Sequence, residues 1–304
     1  MLIWHPSQIY PSIFPRRINR KNEKPTNLKT IPRIVQNFLP LHERNRRNNL
    51  LTNNLEKTTI IIMKKDKILQ FISRYNLNGN VEAVKWETTG EDTCTTTFIT
   101  DDKSVLGQVT VKESFFQNEG EVGVYDTARL KQLLTVVGDD IDVEVTEVND
   151  KNVSLVLSDD NTSVNFMLAD LAVIPNVPAL KELPPFDVNI PFSNDFAKKF
   201  VRSANALSDV DTFTLVPDGD GIKLVIGYST INSNRISLDV LNEGDGTLDE
   251  TISFSAKYFK EILVANADAE KSVLNVSSKG ISNINFEVGD FQSSYYLVEI
   301  KTTD

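Results

Sequence analysis

Hydrophobic and polar residues become regularly spaced along the chain only from Met63 onward. Four segments carry apolar residues at intervals of three and four, the spacing that predicts amphipathic helices. The predicted helices are 64–75, 126–137, 193–206 and 255–266. Asp126 and Ser193 are suitable N-cap residues for the second and third helices, and Gly138 is a suitable stop for the second.

Between these helices apolar and polar residues alternate, which predicts half-buried strands joined by turns rich in Asp, Asn and Gly. The first group of predicted strands is 81–87, 95–100, 105–111, 121–125, 141–148, 152–157 and 163–168. The second group is 211–217, 222–227, 235–241, 249–254, 272–277, 281–287 and 294–300. Because each amphipathic helix needs a surface that covers its apolar side, we predict the α+β class, with helices on one face of antiparallel sheets.

The whole pattern occurs twice at one constant spacing, so that Phe71 corresponds to Phe200 and Leu134 to Leu263. We call this spacing of 129 residues the repeat offset. It predicts two tandem domains, 63–170 and 192–304, joined by an extended connector at 171–191 that contains five prolines. Two copies of such a unit leave sheet edges free, and free edges are normally capped, charged or paired with another subunit. The repeat thus predicts an assembly of several chains.

Residues 1–62 differ in composition from the rest of the chain. They carry 11 Lys and Arg against three Glu and no Asp, and they show no sustained period. This composition predicts a disordered basic extension. Three interpretations remain open: an arm that binds nucleic acid, a transit peptide, or upstream sequence that the native protein lacks because its translation starts at Met63. In the last case the extension is not part of the native fold.

The distribution of charge along the chain is uneven. From Met63 onward there are 21 basic and 39 acidic side chains, yet the four predicted helices hold 11 basic and only four acidic ones. The basic residues are Lys64, Lys65, Lys67, Arg74, Arg129, Lys131, Lys198, Lys199, Arg202, Lys257 and Lys260. A positive surface on an acidic protein attracts a polyanion to that surface alone. The alternative is that these helix faces are merely solvated.

The kind of basic residue indicates how a polyanion would be bound. Most of the helix cations are Lys, whereas Arg is the residue that reads guanine edges in the major groove. The polar helix faces also lack aromatic residues on which bases stack. We therefore expect contacts with the phosphate backbone of duplex DNA, without regard to sequence.

The sequence lacks the motifs of the common catalytic and cofactor sites. Both histidines precede Met63, which excludes a Ser/His/Asp triad or a histidine-ligated metal in the repeats. No phosphate-binding glycine motif occurs, and Cys94 has no histidine to activate it. We expect a protein that is not an enzyme and holds no cofactor or metal. The single cysteine and the lack of a long apolar segment predict a soluble protein of the cytoplasm, the host's if the protein is viral.

The opening "MKKDKILQFISRYN", the later "VYDTARLKQLLTVV" and the proline-rich run between the halves resemble the DNA sliding clamps. The resemblance is closest to the trimeric clamp of T-even-type bacteriophages and extends from Met63 to the C-terminus. It implies the DNA-clamp fold and a homotrimeric ring, lined by the basic helices, that encircles duplex DNA. It also implies a replicative DNA polymerase held for processivity and a clamp-loader ATPase as partners.

The resemblance also implies a groove beside the connector where a polymerase peptide binds. The candidate residues of this partner-peptide groove are Val173, Ile174, Val177 and Leu180. The same residues could instead anchor the connector to the sheets. Two other functions remain open for the chain as a whole. One is a β-rich virion or scaffold protein without DNA-binding function, and the other is a monomeric polymerase accessory subunit that binds DNA statically.

Overall fold

The computed structural model describes residues 61–89, 92–116, 119–179, 182–219, 221–229, 233–244 and 246–301. All of these residues belong to one compact unit. The predicted disordered extension lies outside the described residues, apart from its last two positions. None of the helices in the described ranges has the length and apolar character that a bilayer crossing requires.

Four α-helices form where the apolar spacing predicts them. They are α1 at Lys65–Asn76, α2 at Thr127–Leu134, α3 at Asn194–Ala206 and α4 at Ala256–Ala265. Both predicted N-caps are confirmed. The Asp126 carboxylate accepts a hydrogen bond from the backbone N–H of Arg129 at 2.8 Å. The Ser193 hydroxyl accepts one from the backbone N–H of Phe196 at 3.3 Å.

Helix α2 ends at Leu134, earlier than the stop predicted at Gly138. The backbone N–H of Thr135 donates to the carbonyl of Gln132 at 3.1 Å, which is the tighter spacing of a 3₁₀ turn. Residues 135–137 are all β-branched, and such side chains lose rotamer freedom in a helix. The run therefore favours termination before the glycine is reached.

Sixteen strands occur in the described residues, two more than the alternation predicts. They are β1 Ile61–Lys64, β2 Val84–Thr89, β3 Thr93–Ile99, β4 Val105–Val111, β5 Gly120–Val124, β6 Asp140–Val148, β7 Lys151–Ser158, β8 Ser163–Met167, β9 Val188–Ser193, β10 Thr212–Asp218, β11 Gly221–Ile226, β12 Ile236–Val240, β13 Ile252–Ser255, β14 Lys271–Ser277, β15 Ile281–Val288 and β16 Phe291–Val298. The two additional strands are β1 and β9, which lead directly into α1 and α3.

Strand β9 lies inside the segment predicted as connector, so the irregular part of the connector ends at Asp187. Val188, Ile190 and Phe192 are buried in alternation, as in any half-buried strand. Pro191 obscures this pattern in the sequence because proline usually argues against a strand. Among the described strands β9 is an edge strand that pairs with β14 alone, and a missing N–H is tolerated at such an edge.

Strand β1 begins at Ile61, two residues before the predicted domain boundary at Met63. Ile61 lies opposite Val143, and Met63 lies opposite Ile141, in an antiparallel pair with β6. The last two residues of the predicted extension are thus part of the sheet. The sequence analysis missed β1 because Ile61 and Ile62 belong to a short apolar run without alternation.

The strands form three antiparallel sheets. One four-stranded sheet has the order β1-β6-β7-β8, and another has the order β12-β11-β10-β13. The third sheet has eight strands in the order β5-β2-β3-β4-β16-β15-β14-β9. Its centre is the pair β4 and β16, in which Leu106 lies opposite Tyr296. This pair joins the first repeat to the second, and we call it the intrachain junction.

The repeat offset extends from the sequence to the structure. It carries β1 onto β9, β4 onto β12 and β8 onto β16, and it carries α1 and α2 onto α3 and α4. Phe71 and Phe200, which the offset relates, are both fully buried, although their aromatic neighbours differ. Phe71 packs edge-to-face on Trp86 at a centroid distance of 5.6 Å, and Phe200 packs edge-to-face on Phe259 at 4.6 Å. The duplicated sequence thus builds the same helix-on-sheet unit twice.

Candidate nucleic-acid interface

The four helices form one layer in the order α2, α1, α4, α3, since α1 contacts α2 and α4, and α4 contacts α3. Helix α1 contacts β3 and β4, whereas α4 contacts β10 and β13. Their apolar sides are therefore buried against the sheets and their polar sides face away. Ten of the 11 predicted cations lie on these helices, and Lys64 is the last residue of β1.

Six predicted cations have no carboxylate within ion-pairing distance in the described part of the chain. They are Arg129, Lys131, Lys198, Lys199, Arg202 and Lys257. Lys131 is half-buried and the other five are exposed. The Arg129 guanidinium donates a hydrogen bond to the Gln132 amide oxygen at 3.3 Å, and the Lys257 ammonium lies 5.2 Å from the centre of the Tyr258 ring. We call these six residues the unpaired cations, and their role in binding DNA stays a prediction.

Arg74 is not placed as predicted, because its side chain is only 2% exposed. Its Nη2 donates to Asp268 Oδ2 at 2.7 Å, and its guanidinium carbon lies 4.3 Å from the centre of the Phe291 ring. Its Nη1 donates to the carbonyl of Gln70 at 3.2 Å. The guanidinium is therefore an internal part of the intrachain junction and is not available to a phosphate. A basic residue at this position fits the helix pattern whether it binds DNA or forms an ion pair inside the protein. The sequence therefore did not distinguish the two roles of Arg74.

The other cations of α1 are also neutralised by the protein itself. Lys67 Nζ lies 2.5 Å from Glu113 Oε2 and 2.7 Å from Asp290 Oδ2. Hydrogen bonds to these two carboxylates raise the pKa of Lys67. Lys65 is largely buried, donates to the carbonyl of Val137 at 2.8 Å and lies 3.6 Å from Asp139.

Two further predicted cations are exposed or half-exposed but have a carboxylate beside them. Lys64 lies 2.6 Å from Asp140, and a hydrogen bond to this carboxylate raises the pKa of Lys64. Lys260 lies 3.2 Å from its buried neighbour Glu261. The unpaired positive charge of the layer is consequently carried by α2, α3 and the start of α4, and α1 contributes none of it.

A groove that the sequence did not predict runs between α3 and α4. It has a volume of about 320 Å³ and is lined by Asn194, Ala197, Lys198, Val201, Arg202, Leu263, Val264 and Ala267. Most of these residues are apolar, and Lys198 and Arg202 bring positive charge to the lining. The repeat did contain an indication of this groove, because the repeat offset places Lys198 where the first half has Leu69. Leu69 packs on the core, whereas Lys198 is exposed.

The predicted partner-peptide groove is only partly formed by the residues named for it. Val173 is 71% exposed, but Ile174 is 6% exposed and packs beside Gly123 of β5. Ile174 therefore anchors the connector, which was the alternative interpretation. Val177 is half-buried, and Leu180 lies outside the described residues.

The pocket beside the connector is more polar than predicted. It has a volume of about 160 Å³, and it is lined by Lys85, Glu87, Thr95, Thr97, Glu121, Pro175, Asn176 and Val177. Within this lining, Lys85 Nζ lies 3.6 Å from Glu121 Oε2. Only Val177 and Pro175 are apolar, so a partner peptide here would meet mostly hydrogen-bonding and charged groups.

No group of three His, Cys, Asp or Glu residues within the described ranges is arranged to hold a metal ion. Cys94 is buried in β3, and burial raises the pKa of its thiol. A thiol of raised pKa is a poor nucleophile because little thiolate is present at neutral pH.

Comparison with known proteins identifies the fold but no sequence relative. The chain matches no protein-family model and no curated protein. Among solved structures it is similar to the proliferating cellular nuclear antigen of Entamoeba histolytica, with a TM-score of 0.60 and 13% identity over 79% of this chain and 97% of that one. It is also similar to the PCNA2–PCNA3 complex of Sulfolobus tokodaii, with a TM-score of 0.60 and 13% identity over 79% of this chain and 99% of that one. The predicted fold class is confirmed: the chain has the fold of the PCNA-type DNA sliding clamps.

Proposed function

We propose that this protein is a sliding clamp that encircles duplex DNA, holds a replicative DNA polymerase and gives it processivity. The observation that carries the proposal is the set of six unpaired cations on the helix layer of a clamp-fold protein whose net charge is −10. Such a surface attracts phosphates on one side, while the rest of the acidic molecule repels them. The protein would act by topology and electrostatics, without catalysis or a cofactor.

The sheet edges support assembly into a ring. In the described part of the chain β8 pairs only with β7, and β12 pairs only with β11. The repeat offset makes these strands the equivalents of β16 and β4, which pair at the intrachain junction. A second copy that lays its β8 along β12 would repeat this junction between chains. Such head-to-tail contacts close into rings when the rotation permits, and we propose a homotrimer with six repeats.

The proposed mode of DNA contact follows from the residues that remain unpaired. Four of the six are lysines, whose flexible point charges follow a phosphate backbone without reading bases. Diffuse attraction of this kind holds the duplex in the ring without creating tight binding positions that would stop the ring from moving along the DNA. The expected signature is affinity that is independent of sequence and falls steeply with salt.

The partners in this proposal are a DNA polymerase and a clamp-loader ATPase, as in the trimeric clamp of T-even-type phages. The exposed Val173 and the polar pocket beside Val177 are the proposed contact for a polymerase segment. Attachment to a ring on DNA would raise the local concentration of the polymerase at the primer end. The cytoplasm of a host cell remains our prediction for where this takes place.

Threading can be tested without a loader on linear duplex fixed to a bead by one end. The full chain is allowed to thread over the free end, which is then blocked with a bulky protein, and the beads are washed in high salt. Salt removes proteins held by phosphate contacts alone, so a ring should remain on blocked DNA and leave unblocked DNA. Equal loss from both would contradict the proposal, as would a particle mass far from three times 34.1 kDa by light scattering.

A further inference from the structure

Two ion pairs cross the intrachain junction from α1 to the second repeat. Lys67 reaches Asp290 in the turn between β15 and β16, and Arg74 reaches Asp268 after α4. Both distances are 2.7 Å. The Tyr295 hydroxyl adds a hydrogen bond to the carbonyl of Arg74 at 2.9 Å. The chain therefore supplies its own anions where the two repeats meet.

The duplication did not preserve these pairs in the other half. At the repeat offset, Lys67 corresponds to Phe196 and Asp290 to Asn161. Arg74 corresponds to Ser203, although Asp268 still has an equivalent in Asp139. In an assembly that repeats the intrachain junction between chains, neither ion pair would therefore form.

The same comparison places unpaired cations at the junction between chains. Inside the chain α1 lies beside α4, so the equivalent contact is α3 of one copy beside α2 of the next. Lys199 takes the place of Gln70, which contacts Arg74, and Arg202 takes the place of Ser73. The neighbouring copy contributes Arg129 and Lys131 on α2.

We propose that the phosphates of duplex DNA act at each junction between chains as the anions for these unpaired cations, as Asp290 does for Lys67 inside the chain. Each phosphate site would be completed by two copies, with α3 from one and α2 from the other. The duplex would then bridge the junctions and stabilise the closed assembly. This inference rests on the proposed function, since it requires both the ring and the duplex within it.

The bridging has a thermodynamic consequence that can be measured. If duplex DNA binds the assembled chains more tightly than the separate ones, it must strengthen association by the same factor. Without DNA, the facing cations of α3 and α2 repel each other and weaken the junction. We expect a saturating duplex at low salt to slow the exchange of copies by about tenfold, within the usual range of coupling between two sites.

Exchange of copies between two differently labelled preparations of the full chain measures this effect. The probe is a blunt duplex of mixed sequence, long enough to pass through a ring, and single-stranded DNA of the same length serves as a second probe. The duplex should slow exchange of the wild-type protein. In the double variant Lys199→Gln/Arg202→Gln, duplex DNA should no longer slow the exchange of copies. Without DNA, copies of this variant should exchange at the wild-type rate or more slowly, because the repulsion between the cations of α3 and α2 is reduced.

A matched control has the same charge change away from the helices. Lys279 and Lys301 are exposed and make no ion pair among the described residues, so Lys279→Gln/Lys301→Gln should keep the response to duplex. If the protein is retained on blocked DNA but duplex DNA does not slow the exchange of copies, the inference is overturned and the proposed function stands. If the helix variant exchanges faster than wild type without DNA, these residues hold the chains together directly, and the inference is also overturned. Failure of retention on blocked DNA would overturn the proposed function itself.

Discussion

Arg74 Nη2 lies 2.7 Å from Asp268 Oδ2, and this contact joins residues 194 positions apart in the chain. The guanidinium is buried, whereas the Asp268 side chain is 49% exposed. The pair connects the first helix of one repeat to the loop after the last helix of the other. A residue that the sequence assigns to DNA binding therefore stabilises the junction between the repeats.

This arrangement predicts that the two partners are not equally costly to remove. Asp268→Ala leaves a buried guanidinium without its carboxylate and should lower the free energy of unfolding by about 2–3 kcal/mol, below the usual range because Asp268 is half-exposed. Arg74→Met removes the charge but keeps apolar volume, and should cost less than half as much. Urea denaturation at a fixed protein concentration measures both. The exposed pair of Lys223 with Asp218 gives the control, since solvent screens it and Lys223→Met should leave the free energy of unfolding nearly unchanged.

The structure also predicts which cations contribute to the salt dependence of DNA binding. Lys199→Gln should lower the slope of log affinity against log salt by about 1, as expected when one phosphate contact is lost. Arg74→Met should leave this slope unchanged, because its guanidinium is already paired inside the protein. Fluorescence anisotropy with a short duplex over a range of salt concentrations compares the two variants. An unchanged slope for Lys199→Gln together with a reduced slope for Arg74→Met would reverse our assignment.

We expect Asp159 to account for part of the stability that the protein loses in acid. Its carboxylate accepts hydrogen bonds from the backbone N–H groups of Asn161, Gly138 and Thr162, and these bonds hold its pKa below the ordinary 3.8. Because the folded pKa is lower than the unfolded one, the stabilisation is present above pH 3.8 and is lost as the pH falls through the folded value.

The experiment on Asp159 compares two pH values. In Asp159→Asn the difference in unfolding free energy between pH 6 and pH 3 should be smaller than in wild type. NMR titration of the carboxyl group in the wild-type protein should give a pKa below 3.8. A pKa at or above that value would exclude these hydrogen bonds as a source of stability.

We expect the Cys94 thiol to react only when the sheet that contains it opens. It is 0% exposed in β3, and burial raises its pKa, so both access and thiolate content are low. A thiol-reactive chromophore should label the native protein far more slowly than the protein in denaturant. Labelling of the native protein at the rate of a small free thiol would show that β3 is not packed as described.

Much of the fold could be predicted from sequence because the relevant signals are local. The helix of Phe200 is predicted from apolar spacing and the Ser193 cap, and both depend on residues within a few positions. Strands β1 and β9 were missed because Ile61 lies in a short apolar run and Pro191 interrupts an otherwise clear alternation. The connector residue Ile174 could not be distinguished from its neighbour Val173, since both are apolar and only contact with β5 separates them.

The sequence by itself determined the duplicated helix-and-strand unit, its constant repeat offset and the concentration of basic residues on four helices. Only the tertiary structure decided which of those residues carry unpaired charge. Lys67 and Arg74 find their carboxylates 223 and 194 positions away, because β4 and β16 pair and bring the two repeats together. Periodicity is a property of neighbouring residues, whereas the pairing of charges depends on which distant segments the sheets place side by side.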